Sequence, residues 1–266
     1  LKRGQMANVT IQFNESVLID DLANFIAYDN LFGLVDNVKH NDDVVTARFT
    51  AVDDADVRGN VTLSTSKYTD SSLNVGESKE TKIYVDTKVP TVSSMEMIPN
   101  LLQGKEKANL KLTFSEPVTF VYDVTSKQHL ENDIFDMTHA NGEFVGNLEA
   151  QSGNVWNIQF ESSSSVFSET SNIMLKAETY QDDVGNKGVH EPRTPYRVDT
   201  TSPYISKFTV TGDGGKNEFK ANETANIEIH FSETIQNISI ADFELKNAHG
   251  NVTSISQSTK NHLVWV

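Results

Sequence analysis

Ala108-Asn109-Leu110-Lys111-Leu112-Thr113-Phe114-Ser115-Glu116 is the stretch from which the fold can be read. Leu110, Leu112 and Phe114 alternate with polar neighbours, the period-two pattern of a strand with one face on a core. The pattern returns as Ala7-Asn8-Val9-Thr10-Ile11-Gln12-Phe13-Asn14-Glu15 and as Ala225-Asn226-Ile227-Glu228-Ile229-His230-Phe231-Ser232-Glu233. A second motif keeps the same phase: Tyr84-Val85-Asp86-Thr87-Lys88-Val89-Pro90 matches Arg197-Val198-Asp199-Thr200-Thr201-Ser202-Pro203, the prolines lying 113 residues apart. Proline cannot donate to a ladder and holds its predecessor extended, so each Asp-Thr-x-x-Pro reads as a taut junction. A third echo joins Tyr68-Thr69-Asp70 to Tyr180-Gln181-Asp182. Three motifs recurring in one order make an internal repeat the size of a small β-domain.

Further strand candidates lie between these anchors, at 44–50, 92–98, 155–160, 205–210 and 262–266. Turn residues separate them, as in Asn141-Gly142 and Gly212-Asp213-Gly214-Gly215, and no segment shows a 3.6 period. The expected fold is all-β: tandem immunoglobulin-like β-sandwiches in an extended array, divided as 1–87, 88–200 and 201–266. The middle copy is expected to be complete. The first is expected to lack its opening strand and the third to stop before its last two, as in a fragment of a longer array. Trp156 and Trp265 fall at equivalent strand positions and are expected in the core.

Composition narrows the function. The chain of 266 residues has 22 Lys and Arg against 37 Asp and Glu, a formal charge of −15, and no cysteine. Such an acidic chain repels phosphate backbones and anionic lipid, which argues against nucleic acid and membrane surfaces as partners. No apolar run of about 18 residues suggests insertion into a bilayer. Disulfides, thiolate metal sites and cysteine nucleophiles are excluded together. The seven histidines show no metal spacing, and neither a phosphate loop nor a Gly-x-Ser-x-Gly elbow is present, so no enzyme is expected.

Asp-Thr-Thr-Ser-Pro at 199–203, Phe-Ser-Glu-Pro at 114–117 and Asp-Asp-Val-Gly-Asn at 182–186 together resemble the bacterial immunoglobulin-like repeats of large surface adhesins. The first copy departs from that pattern with Phe13-Asn14-Glu15-Ser16 and an Asp70–Gly76 loop without Gly-Asn, read as longer than its counterpart. The resemblance implies an extracellular, non-enzymatic stalk of a long cell-surface adhesin or filament, whose partners are neighbouring repeats of the same chain and other copies in a filament. A subunit of a filament with lateral contacts, or a module binding carbohydrate or protein, are the alternatives. For a specific contact the best candidate is Tyr122–Asp136, with no obvious counterpart in the other copies.

Chemistry is expected at the poles of the sandwiches. In an immunoglobulin topology the B–C and F–G loops share the pole that meets the preceding linker. Glu116, Asp182, Asp183 and Asn186 are thereby expected near Asp86, and at the next junction Glu233 near Asp199. Two unit charges about 4 Å apart repel by about 4 kcal/mol near a protein surface. Such carboxylates would be favourable around Ca²⁺, which takes 6–8 oxygen ligands. The competing reading makes Asp86 and Asp199 turn residues and the glutamates solvated strand ends. Asp53–Asn60 mimics the opening of a calcium loop, but Arg58 stands at a ligand position and a polar turn is expected. Asn8, Asn14, Asn60, Asn222, Asn237 and Asn251 form glycosylation sequons.

Overall fold

A computed structural model describes residues 1–28, 33–104, 106–246 and 249–266. The chain is an all-β protein of immunoglobulin-like sandwiches and divides into two compact units, Leu1–Thr200 and Thr201–Val266.

The first unit holds two sandwiches. In the earlier one, β1 (Met6–Gln12), β3 (Gly33–Asn41) and β4 (Val44–Ala51) form one sheet in the order β1-β4-β3, and β2 (Ile26–Tyr28), β5 (Asp56–Leu63) and β6 (Lys79–Asp86) form the other in the order β2-β5-β6. Phe25, Ile26, Val45, Ala47, Val61 and Leu63 fill the space between them, and Phe49, Ala55 and Val85 close its lower end. In the later sandwich, β7 (Val92–Ile98), β9 (Lys107–Phe114), β12 (Gly142–Ser152) and β13 (Val155–Ser162) pair as β12-β13-β9-β7. Facing them, β8 (Leu101–Gln103), β11 (Phe135–Asp136), β14 (Phe167–Leu175) and β16 (Arg193–Asp199) pair as β11-β14-β16-β8. These are the ABED and A′GFC sheets of an immunoglobulin topology. A short pair, β10 (Thr119–Phe120) with β15 (Tyr180–Gln181), joins the B–C and F–G loops at one pole.

Alternation sets the register. Leu110, Leu112 and Phe114 of β9 are at most 1% exposed, and β13 lies across them with Ile158 and Phe160 inward. Burying side chains of this size stabilises by about 1.5–3 kcal/mol each. Trp156 packs partly buried on this core with its ring 5.1 Å from Phe120, and Trp265 is buried at the equivalent position opposite Ile229.

The second unit, taken by itself, carries one sheet among its described residues, β17 (Ile205–Gly212), β18 (Ala225–Phe231) and β19 (Val264–Trp265) in that order. Phe208 and Val210 are exposed on β17, while Ile229, Val264 and Trp265 are buried.

Two expectations need correction. Part of Tyr122–Asp136 does have counterparts: a single helical turn recurs at Leu22–Asn24, Leu130–Ile134 and Ile240–Asp242. In the first two copies it leads into strand C, with Phe25 or Ile134 sealing the core. Ahead of that turn the middle copy has nine residues, 121–129, where the first has Asp20 and Asp21, and there Tyr122 stacks on His129 at 5.9 Å. The Asp70–Gly76 loop, for its part, is not longer than Asp182–Gly188; both close the same bridge, Thr69 with Val75 and Gln181 with Lys187.

Candidate functional site

The junction motifs turn out to be hydrogen-bonding devices, and both Asp-Thr pairs work alike. Thr87 N–H donates to Ala55 O at 2.6 Å, its Oγ1 donates to Val52 O at 2.6 Å, and it accepts from Ala55 N–H at 2.9 Å. Thr200 repeats the set on Val166 and Ser163. Each threonine thus ties the end of the last strand to the turn between the E and F strands of its own sandwich. Those turns carry left-handed residues at matching places, Asp54 with φ 60° and Ser165 with φ 58°. Asp53–Asn60 is accordingly a turn running into β5. The serine of Phe-Ser-Glu fastens the chain beyond the proline. Ser115 donates its N–H to Thr91 O and accepts from Thr91 N–H, and within the second unit Ser232 does the same with Tyr204.

Asp182 organises the F–G loop of the middle sandwich. Its Oδ1 accepts the N–H groups of Val184, Gly185 and Asn186 at 3.0, 2.7 and 2.8 Å, and its Oδ2 accepts from Asn186 Nδ2 at 2.7 Å. The turn needs a left-handed residue, and Gly185 supplies it at φ 89°. Asn186, 3% exposed, then reaches out of its own sandwich: Nδ2 donates to Asp86 O at 2.8 Å and Oδ1 accepts from Arg3 N–H at 2.7 Å. One side chain clasps the linker and the preceding sandwich together.

Around this clasp lie the acids. Asp86 is 5% exposed and directly opposite Asp56 in the β5–β6 ladder. Tyr84 Oη is within 3.3 Å of both carboxylates, while Asp86 Oδ1 is buried without a partner. Burial first, then the charge of Asp182, pushes the Asp86 carboxyl above its ordinary value. Glu116 rises for the same reasons, with Asp86 adding to Asp182. Burial and Asp56 carry the Tyr84 phenol to about 12. The structure therefore gathers Asp86, Glu116, Asp182 and Asn186, and leaves Asp183 exposed on the loop's outer side. Asp199 ends β16, where its carbonyl accepts from Gly104 N–H, and Glu233 follows β18 in the second unit. Among the described residues no group of three or more His, Asp or Glu side chains is arranged to hold a metal ion. Both Asp182 oxygens and the Asn186 carbonyl are already engaged, which leaves Asp86 Oδ1 as the buried oxygen with open capacity.

A pH response follows from the raised carboxyls. Their contribution to stability is complete below ordinary carboxylate values and is lost as pH rises through the raised ones. The lowered carboxyls, Asp36 beside Arg48 and Asp70 in its loop among them, act oppositely and lose stability as pH falls below their ordinary range. The midpoint of the first unit's melt is expected to climb from pH 7 to about 5 and to fall below about 4. Asp86→Asn should flatten the climb; a variant that keeps it in full would place its origin elsewhere.

Sequence reading found the acids and Asn186 but missed Thr87, Ser115 and Arg3. For the first two, the available signal was recurrence: threonine and serine return at the same motif positions in successive copies.

No family model and no curated protein matches this chain. Among solved structures it is similar to FdeC, an Escherichia coli adhesin, at 8% identity over 86% of this chain and 69% of that one, with a TM-score of 0.33. It is also similar to the titin domains I67–I69 in an E-to-A variant, at 9% identity over 99% and 82%, TM-score 0.44. A third is the surface layer protein SbsC, domains 1–6, at 13% identity over 94% and 29%, TM-score 0.27. No helix among the described residues is long and apolar enough to cross a membrane.

Proposed function

We propose that the chain is part of an extracellular, non-enzymatic array of immunoglobulin-like repeats, serving as the stalk of a cell-surface adhesin or filament. One observation carries the reading: the Asn186 clasp, which takes up the carbonyl of Asp86 and the amide of Arg3 and so fixes the second sandwich on the first. A stalk transmits position only if its joints resist bending, and nearest-neighbour contacts set that resistance. Buried polar contacts placed on a linker have that effect and no evident role in chemistry.

Calcium belongs to the same proposal as an addition to the clasp. Asp86 and Glu116 would hold the ion, since Asp86 Oδ1 is buried and unpartnered beside another raised carboxyl. Calcium would supply neutralisation of charges that otherwise repel.

Small-angle scattering tests the array. A compact globule of this length has a radius of gyration of about 18 Å; a value clearly above it is expected, and Asn186→Ala should broaden the distribution of distances. A globule value, or a distribution indifferent to Asn186→Ala, overturns the reading. Calcium is tested by melting in EDTA and again with millimolar Ca²⁺. An ion bound only by the folded state stabilises by about 2.7 kcal/mol at 100 times its Kd. A melt unmoved by Ca²⁺ removes the ion from the proposal.

A further inference from the structure

The middle sandwich carries a polar hollow on the outer face of its β12-β13-β9-β7 sheet, away from the pole. Asn109 of β9, Asn157 and Gln159 of β13, and Asn147, Glu149 and Gln151 of β12 line a space of about 320 Å³. On β9 and β13 these places alternate with the core residues Leu110, Ile158 and Phe160. Among the described residues, none of the six side chains has a hydrogen bond or ion pair within the protein. Asn157 Oδ1 is moreover buried without a partner. Elsewhere in the same sandwich asparagines are tied down: Asn141 Nδ2 donates to Ser171, Asn154 Nδ2 to Phe114 O and Asn186 Nδ2 to Asp86 O, while Asn172 Oδ1 accepts from Arg193.

A bulge in β12 shapes the hollow. Val145 pairs with Gln159 and Glu149 with Asn157, so Gly146, Asn147 and Leu148 stand against Ile158 alone. Gly146 takes the left-handed turn at φ 85°, and Leu148 dips into the core. Bulges of this kind re-aim side chains beside functional sites. The residues ahead of the helical turn brace this one: Val124 O accepts from Leu148 N–H at 3.1 Å, and Lys127 Nζ donates to Glu143 at 2.5 Å. Just after them, Glu131 Oε1 accepts from Phe144 N–H at 3.0 Å. The first sandwich shows what the same places look like without a hollow. There only Asn37 and Val38 are bulged, against Ala47. Arg48, at the place of Gln159, is locked to Asp36 by two hydrogen bonds of 2.7 and 2.8 Å, and Thr46 stands for Asn157.

The geometry points to a binding site for a neutral mono- or disaccharide, held in this hollow through its hydroxyl groups. An amide sets a carbonyl acceptor beside an NH₂ donor, and a sugar hydroxyl both donates and accepts, so each answers the other. Glu149 accepts from a further hydroxyl, and Val145 gives the hollow an apolar wall for the C–H face of a ring. No lining residue is cationic and the chain carries a charge of −15, which disfavours anions. A single carboxylate is too little to hold a hard cation. The volume lies at the lower end of the about 300–1,000 Å³ of ligand clefts. Asn157 Oδ1 already bears the cost of burial without a partner in the free protein, and a hydroxyl that reaches it removes that cost. The hollow belongs to the middle sandwich however the repeats are joined, so the inference stands apart from the array reading.

The test is an NMR titration of the isotope-labelled chain with glucose, maltose, lactose and diacetylchitobiose, followed through the side-chain amide resonances. At least one sugar is expected to shift the amides of Asn109, Asn147, Gln151, Asn157 and Gln159 saturably, with a Kd on the order of 1 mM. Asn157→Ala changes an outward place between core residues; it is expected to weaken this binding about tenfold and to leave the melt of the sandwich in place. Thr46→Ala, the same change in the first sandwich, should leave binding as it was. The absence of a saturable shift with every sugar overturns the inference, and so do shifts undiminished in both Asn157→Ala and Gln159→Ala. If acetyl-trialanine amide moves the same resonances at lower concentration than any of the sugars, the ligand is polypeptide and the saccharide assignment falls.

Discussion

Gly188→Ala is expected to unfold the middle sandwich at a temperature lower by on the order of 10 °C or more. A Cβ built on Gly188 lies 2.0 Å from Tyr180 Cε2 and 2.2 Å from Cζ. The ring has nowhere to go: Tyr180 is fully buried, its centroid is 4.9 Å from that of Phe114, and its hydroxyl donates to His190 O. The backbone must move instead, and with it the bond from Gly188 N–H to Tyr180 O at 2.9 Å. Overpacking of a closed core costs about 1–3 kcal/mol and occasionally more, and this site belongs at the upper end. The first sandwich provides the control. Gly76 meets Tyr68 at the same 2.0 Å, but Tyr68 is only partly buried and can swing outward. Calorimetry of the two variants should show the larger loss for Gly188→Ala; equal losses would refute the argument from ring confinement.

Thr87→Val is the second large effect. Valine keeps the shape of a residue 2% exposed but removes the hydroxyl, leaving Ala55 N–H and Val52 O without their partner. Each orphaned buried group costs about 1–3 kcal/mol, so a loss of about 2–4 kcal/mol is expected. Thr87→Ser retains the hydroxyl and should retain most of the stability. Denaturant melts of the two variants decide the matter: if Thr87→Val is as stable as Thr87→Ser, the hydroxyl is not what ties the strand down.

The strands were legible because β1, β9 and β18 obey period two and repeat their motifs. Residues that work through distant partners were not. Thr87 acts on Val52 and Ala55, and Ser115 acts on Thr91, across turns whose approach only the fold reveals. The pole carboxylates could be placed from topology, since immunoglobulin connections bring the B–C and F–G loops together. That Asp182 spends both oxygens on its own loop could not, because backbone N–H directions are not written in residue types. Leu73 hid the equivalence of the two F–G loops: a leucine at a left-handed position defies the preference that makes glycine the usual signal there. Single helical turns such as Leu22–Asn24 are too short to show a period.

The Asn186 clasp also decides how the first joint behaves under tension. A pull along the chain reaches β6 through eight ladder pairs with β5, which resist together in shear. The same pull meets the clasp as two neutral hydrogen bonds from one side chain, each worth about 0.5–1.5 kcal/mol net. If the array bears tension as proposed, the clasp is expected to part first, lengthening the joint while both sandwiches stay folded. Because Asp182 still holds the loop in shape, Asn186 is left poised to close again when the load is released. In the stalk proposed above, such a junction would act as a resettable fuse that spares the cores from mechanical unfolding.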